Sequence, residues 1–514
     1  MPAFIQRRLT LLFLACAGLM LSGAAHAVDL ELGVMRKAIF KVRVISQESD
    51  YRQPWNQQPV RSSSGTGFYI GAAGILTNAH VVAQGKFISV LKDGDDKPVS
   101  ARVRYIAHDC DLALLEVQDK NYFKDVKPLS LGDMPEVRDT VYTVGYPTGG
   151  EQLSITQGVV SRISYRRYVH TGADSHLLIQ VDSAINHGNS GGPVLKGRQV
   201  IGVAFQTQTS AENTGYIIPT PVVERFLKDI ADKKYDGHPP QGFWDAEGVL
   251  ENAATRSFHG LKPGEGGVKI SKIAASSPLK GYVEAGDVIL AIDGQAIGSD
   301  GKVQMYAERL DFRVVYDLKQ VGETVQLDLL RKGQRSTIRV PLRAQAPEYD
   351  SDKSYQLRPR FLVYAGLVFT VLQRDYLELW GRNWTVEAPL TLRYAHVFAP
   401  LIAAFQDRRD VIVLADRLPH AINTFAGSYT DEILLSVNGE EVRSLEDLAS
   451  KLDSNQEDFL LFRFWERDIP LVLRQAAAKE ADSHILKRYN IPSARWFGSK
   501  ADDGATANWE EVKP

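Results

Sequence analysis

The string Gly188-Asn189-Ser190-Gly191-Gly192-Pro193 constrains this chain more than any other stretch. A serine hydroxyl is a poor nucleophile unless a base removes its proton and dipoles hold the oxyanion that follows. Glycines around Ser190 let the backbone turn sharply, so that the N–H groups of Gly188 and Ser190, with Asn189 between them, converge beside the hydroxyl. Such a loop needs partners, and two lie upstream. An apolar strand, Phe68 to Ile70, and a glycine turn lead into Thr77-Asn78-Ala79-His80-Val81-Val82, which sets an imidazole at the edge of β-structure. Asp111 opens the apolar run Leu112-Ala113-Leu114-Leu115. A carboxylate at that point is partly buried, as the orienter of a histidine Nδ1–H must be. The order is His80, Asp111, Ser190, one of the chain orders in which this constellation recurs.

Two neighbours compete for these roles. Asp109 precedes Asp111 by two residues and would share its face only in a regular strand, and the apolar run starts directly after Asp111. His187 lies on the same loop as Ser190 rather than across a cleft, so it is placed on the substrate side.

These motifs resemble the HtrA/Deg family of serine endoproteases. Ala211-Glu212-Asn213-Thr214-Gly215-Tyr216-Ile217-Ile218-Pro219-Thr220-Pro221, Asp300-Gly301-Lys302-Val303 and Tyr489-Asn490-Ile491-Pro492-Ser493-Ala494 are most similar to the plant-type Deg proteases with two PDZ domains. The resemblance implies a mainly β fold, a trypsin-like double β-barrel followed by two PDZ-like α+β domains. It also implies a homo-oligomer built from trimers, and cleavage of unfolded or damaged proteins. Ala184 stands where trypsin-like selection of basic residues would demand a carboxylate, so a small or medium apolar P1 residue is expected. Val203, Ala204 and Phe205 complete the expected pocket, with the segment to Gln206 as a strand edge for substrate.

At 514 residues the chain has room for about three domains. Residues 1–27 read as a secretory signal: Arg7 and Arg8, an apolar run from Leu9 to Leu21, then Ala25-His26-Ala27. The run is too short for a stable membrane span. Export is therefore expected, to a periplasm if the source has an outer membrane. Without that leader Cys110 is the only cysteine, which precludes an internal disulfide and any cysteine cluster for a metal. No His-Glu-x-x-His string occurs either, so the sequence assigns no metal and no cofactor. The near balance of 60 basic and 62 acidic residues argues against nucleic acid as a partner. Gly65-Thr66-Gly67 leads into a strand rather than a helix and is no dinucleotide loop.

Residues 28–235 form the expected protease domain, closed by a helix over Pro221 to Ile230 with Val222, Val223, Phe226, Leu227 and Ile230 on its apolar face. Lys233 to Pro240 reads as a stiff, extended linker. Gly286 to Gly294 and Asp431 to Gly439 then repeat one another, each a strand closed by Asp-Gly or Asn-Gly and followed by a helical segment. Ser444 to Asp447 caps the second of those helices. The PDZ-like domains span 241–345 and 359–478, with 479–514 as a C-terminal extension. PDZ domains take an extended peptide as an added strand and hold its carboxylate in a glycine loop. The candidate loops are Gly242-Phe243-Trp244 and Gly366-Leu367-Val368. Gly366 to Gly439 is 21 residues longer than Gly242 to Gly294, an insertion holding Trp380, Trp384 and Val397 to Phe405. The second domain therefore offers either a peptide groove or an assembly surface.

Two functions remain in view. One is an exported, ATP-independent endoprotease acting on unfolded proteins, consistent with the lack of a phosphate-cradling loop. The other is a latent protease acting mainly as a chaperone or peptide-binding scaffold. An esterase of the α/β-hydrolase type has the wrong chain order and needs a β/α alternation that is missing.

Overall fold

Short apolar runs cut by glycine and Asn/Asp turns cannot reach helical length, and they pair instead. The computed structural model describes residues 35–498 apart from 148–149, 173, 187, 208–214, 240–244, 249–251, 274–276, 345–352, 356, 382, 400–401 and 406. The signal segment and Gly242-Phe243-Trp244 thus lie outside the described residues.

Six strands close the first barrel in the order Ile39–Ser46, Arg61–Tyr69, Ile75–Thr77, Leu112–Val117, Val99–Ala107 and Gly85–Lys92. The second ring runs Pro193–Lys196, Thr140–Gly145, Ser154–Arg167, Ser175–Val181, Gly215–Pro219 and Gln199–Thr207. Pairing of Pro193–Lys196 with Gln199–Thr207 closes it. Phe40, Phe68, Leu76, Leu114, Val144, Ile179, Val194 and Val203 fill the barrels at 2% exposure or less. Burying each such side chain contributes about 1.5–3 kcal/mol. This is the expected trypsin-like double barrel.

The closing helix runs Thr220–Asp229, with proline in its first turn and Val222, Val223 and Phe226 buried. Leu227 is only half-buried, and Arg225 takes a buried place instead. The segment after it is not a free linker. Tyr235 donates its hydroxyl to Asp109 Oδ1 (2.6 Å), Asp236 N donates to Asp229 Oδ1 (2.9 Å), and the Gly237 carbonyl accepts from Arg225.

The first PDZ-like sheet takes the order Asp245–Gly248, Val268–Lys272, Val288–Ile292, Thr324–Arg331, Gln334–Pro341. The repeated Asp-Gly and Asn-Gly pairs form the hairpin turns expected of them, with φ of +45° and +77° at Asp293-Gly294 and +50° and +82° at Asn438-Gly439. The following helices differ. In the second domain Ser444 Oγ accepts from Asp447 N (3.1 Å) and starts the helix Leu445–Ser454. In the first, a hairpin of Lys302–Met305 and Glu308–Asp311 intervenes and leaves only Arg313–Asp317 helical.

Contacts divide the chain into two compact units, and the second gathers 46–61, 83–86 and 346–514. Residues 46–61 therefore depart from the expected protease domain. The reason is polar: Arg52 donates to Asp431 Oδ1 (2.7 Å) and Oδ2 (3.2 Å) and to the Ala415 carbonyl (2.6 Å). Tyr51 is hydrogen-bonded to Ser354 Oγ (2.6 Å), and Trp55 packs on Phe361 with ring centroids 5.9 Å apart. The sheet of this unit runs Leu471–Arg474, Phe459–Phe464, Ile433–Val437, Ile412–Arg417, Leu367–Val371, Phe361–Tyr364, Arg495–Trp496. The helix Gln475–Arg488, with Ala478, Ala481 and Ile485 buried, runs through the expected boundary at 478. That domain reaches at least Trp496, because Arg495 and Trp496 pair with Leu362 and Phe361.

Candidate active site

A tight turn, not a strand, delivers the carboxylate. Asp111 N donates to the His108 carbonyl (3.3 Å), and Asp111 sits at φ +53° before the strand Leu112–Val117 begins. Asn78 Nδ2 holds the Asp111 carbonyl (2.9 Å). With its backbone fixed, the fully buried carboxylate accepts from His80 N at 2.7 Å and lies 2.6 Å from His80 Nδ1. Burial pushes the Asp111 pKa up, but His80 and His170 outweigh it and hold the carboxylate below its usual range. Burial likewise pulls His80 down, and Asp111 more than reverses this, so the imidazole titrates above its ordinary value. The competitor Asp109 turns elsewhere, to Tyr235 and His238.

His170 was not legible in the sequence. Its Nε2 lies 4.0 Å from Asp111 Oδ1 and 2.8 Å from His108 Nδ1, with a side chain 9% exposed. It belongs to the turn after the long strand Ser154–Arg167.

The Ser190 loop is tied to the first barrel by two threonines. Thr66 N donates to the Ser190 carbonyl (2.9 Å), and Thr66 Oγ1 donates to the Gly188 carbonyl (2.7 Å) while accepting from Tyr146 N (2.9 Å). Thr77 Oγ1 donates to the Thr66 carbonyl (2.6 Å). Only glycine fits position 191, where φ is +85° and a Cβ would stand 2.1 Å from the Thr66 carbonyl oxygen.

Of the three candidate oxyanion residues, Asn189 drops out as a backbone donor, because its N–H goes to the Asn186 carbonyl (3.0 Å). Among the described residues no acceptor takes the N–H of Gly188 or Ser190. Ser190 Oγ donates to the Phe205 carbonyl at 3.2 Å, and no described hydrogen bond joins it to His80.

Val203, Ala204 and Phe205 are buried in the strand Gln199–Thr207, with the Phe205 ring 6.4 Å from that of His80. Ala184 is exposed, its carbonyl accepting from Thr156 Oγ1 (3.2 Å). Its neighbour Ile185 is 2% exposed and packs against Gly215, where a Cβ would strike it at 2.8 Å.

Gly366, Leu367 and Val368 do not form an open carboxylate loop. Ala365 and Gly366, at φ +49° and +79°, make the two-residue turn of a hairpin between Phe361–Tyr364 and Leu367–Val371. The second of these strands pairs on its other side with Ile412–Arg417, so both of its edges are taken. Strand addition needs a free edge.

Comparison with known proteins matches residues 65–203 to a trypsin-like peptidase domain, and 200–342 and 351–496 each to a PDZ domain. Protease Do-like 4, mitochondrial, of Arabidopsis thaliana is 36% identical over 90% of this chain and 85% of its own length. The chain belongs to the Do-like serine protease family. Protease Do-like 2, chloroplastic, of the same plant is 35% identical over 89% of this protease and 74% of the relative. The solved structure of the HtrA-type protease AlgW with tripeptide overlays 62% of this protease and 98% of that chain, at a TM-score of 0.48 and 22% identity.

Proposed function

We propose that this Do-like protease is an exported, ATP-independent endopeptidase that cleaves unfolded or damaged proteins through His80, Asp111 and Ser190. One observation carries the reading: a fully buried carboxylate 2.6 Å from the imidazole Nδ1, beside a glycine loop that presents a serine. In that mechanism His80 takes the Ser190 proton and returns it to the leaving amine, Asp111 stabilises the imidazolium, and the N–H groups of Gly188 and Ser190 hold the oxyanion. Ala184 in place of a carboxylate favours a small or medium apolar P1 residue. Export rests on the leader, Arg7 to Ala27. Assembly into trimers is supported by the insertion helix Leu390–Phe398, whose Leu390, Tyr394 and Val397 are 69%, 48% and 54% exposed.

A specific contact favours a second reading, in which the protease rests in a latent state and acts as a chaperone. The Ser190 hydroxyl is engaged by the Phe205 carbonyl rather than by His80. Degradation of unfolded casein, with Ser190→Ala as control and with or without apolar C-terminal peptides, separates the two. Cleavage that the alanine variant abolishes supports the endopeptidase. Suppressed casein aggregation with no cleavage under any condition overturns it in favour of the chaperone.

A further inference from the structure

Away from the triad, three elements bring two imidazoles and a carboxylate to one buried point. His176 comes from the strand Ser175–Val181, His238 from the segment after the closing helix, and Asp317 from the end of the short helix Arg313–Asp317. Their side chains are 1%, 7% and 1% exposed. One donor atom from each lies within 4.8 Å of the other two. His176 Nδ1 is 2.9 Å from Asp317 Oδ1, and His238 Nε2 is 3.9 Å from the same oxygen.

The outward-facing nitrogens fix what the inward-facing ones must be. His176 Nε2 lies 2.9 Å from the Asp109 carbonyl, an acceptor only, so that nitrogen carries a proton. His238 Nδ1 lies 2.8 Å from the Asp109 carboxylate and is protonated for the same reason. In the neutral rings both remaining lone pairs, on His176 Nδ1 and His238 Nε2, then point toward the Asp317 carboxylate, itself only an acceptor. A proton on His176 Nδ1 would satisfy that one pair. It would leave His238 Nε2, which has no hydrogen-bond partner among the described residues.

We propose that His176 Nδ1, His238 Nε2 and the Asp317 carboxylate bind a divalent transition-metal ion of the zinc class. A cation satisfies three inward-facing acceptors at once. Anchoring each imidazole through its second nitrogen, one to a carboxylate and one to a backbone carbonyl, is how metal-bound histidines are oriented. Two imidazoles and one carboxylate suit zinc and its neighbours, whereas calcium and magnesium take oxygen donors. In a tetrahedral zinc site with bonds of about 2.0–2.1 Å the donor atoms lie roughly 3.3 Å apart. The separations of 2.9 and 3.9 Å to Asp317 Oδ1 bracket that value, and all three donors lie within 4.8 Å of one another. Among the described residues no fourth His, Cys, Asp or Glu joins the three.

Cys110 offers a rival grouping with Asp109 and His238. That one would use the His238 nitrogen already bonded to Asp109, and Cys110 Sγ instead faces the Tyr235 hydroxyl at 3.8 Å. Binding at His176, His238 and Asp317 would clip together the second barrel, the connecting segment and the first PDZ-like domain. Asp109, which orients both histidines, stands two residues before Asp111, so occupancy also braces the turn that carries the triad carboxylate.

The test uses the whole chain in a Ser190→Ala background, stripped with chelator and then given zinc chloride, so its result does not depend on proteolysis. The expected outcome is one retained zinc per chain and a zinc-dependent rise in Tm. Both are lost in His238→Ala and in Asp317→Asn and kept in Cys110→Ser, while Asp109→Asn weakens zinc about 10–100-fold. Circular dichroism checks that each variant folds. Should the ligand variants unfold, cobalt(II) in the parent chain decides the matter. Visible bands of a four- or five-coordinate ion without a thiolate charge-transfer band support the site. No retained zinc, retention unchanged in folded ligand variants, loss in Cys110→Ser, or a thiolate band would each overturn it.

Discussion

Thr66 ties the loop of the proposed nucleophile Ser190 to the first barrel. It is fully buried, and its hydroxyl both gives and receives a hydrogen bond, to the Gly188 carbonyl and from Tyr146 N. Thr66→Val keeps the shape and strands both partners, a penalty of about 1–3 kcal/mol per buried unsatisfied group. We expect kcat on a peptide substrate to fall at least tenfold with KM little changed, because on the proposed mechanism the loop that holds the oxyanion is loosened while the pocket is not. A rise in KM with kcat unchanged would show that Thr66 acts on substrate binding and not on the loop. The raised pKa of His80 sets a second expectation. On the proposed mechanism catalysis needs the neutral imidazole, and the folded-state pKa lies above 6.5, so kcat/KM should climb with pH through a midpoint above that value. A pH–rate profile with a midpoint at or below 6.5 would contradict the strong Asp111 coupling.

At the scale of elements, the hairpin Phe361–Tyr364 with Leu367–Val371 decides what the second PDZ-like domain can do. Gly366 makes its turn possible: φ is +79°, and a Cβ would lie 2.5 Å from Asn423 Nδ2 and 2.8 Å from the Leu418 carbonyl oxygen. Gly366→Ala should cost about 1–3 kcal/mol, from the left-handed backbone and the clash together, and lower the Tm of the whole chain. An unchanged Tm would mean that the turn is not formed as described.

The sequence made much of this scale legible. Local chemistry marked the Asp293-Gly294 and Asn438-Gly439 turns, the Ser444 cap and the closing helix, because each depends on neighbours within four residues. A glycine before an apolar strand reads the same whether the strand's edge is open or already paired. Local chemistry therefore says nothing about what lies on either side of the Gly366 hairpin. His170 beside Asp111, and the meeting of His176, His238 and Asp317, depend on long-range packing and left no periodicity to find.

For the whole molecule the least expected feature is the segment 46–61, drawn from between the first two barrel strands into the second compact unit. Arg52 is its anchor. It is bidentate to Asp431, and its guanidinium lies 5.4 Å from the ring centroid of Trp380. The pair is partly exposed, 33% and 24%, so Arg52→Ala is expected to cost only about 1–2 kcal/mol. Urea unfolding followed by tryptophan fluorescence would register this, since Trp55 and Trp380 both belong to that unit. An unchanged transition would leave the anchor without weight.

The same segment bears on synthesis. Arg52 leaves the ribosome early, while Asp431 follows 379 residues later, and contacts so remote in sequence form slowly. Nascent chains fold from the N-terminus, so the barrel that carries His80 can close before residues 46–61 have a surface to rest on. Maturation then ends only when the last domain emerges and captures a piece of the first, and a chain cut short before residue 431 keeps that piece loose.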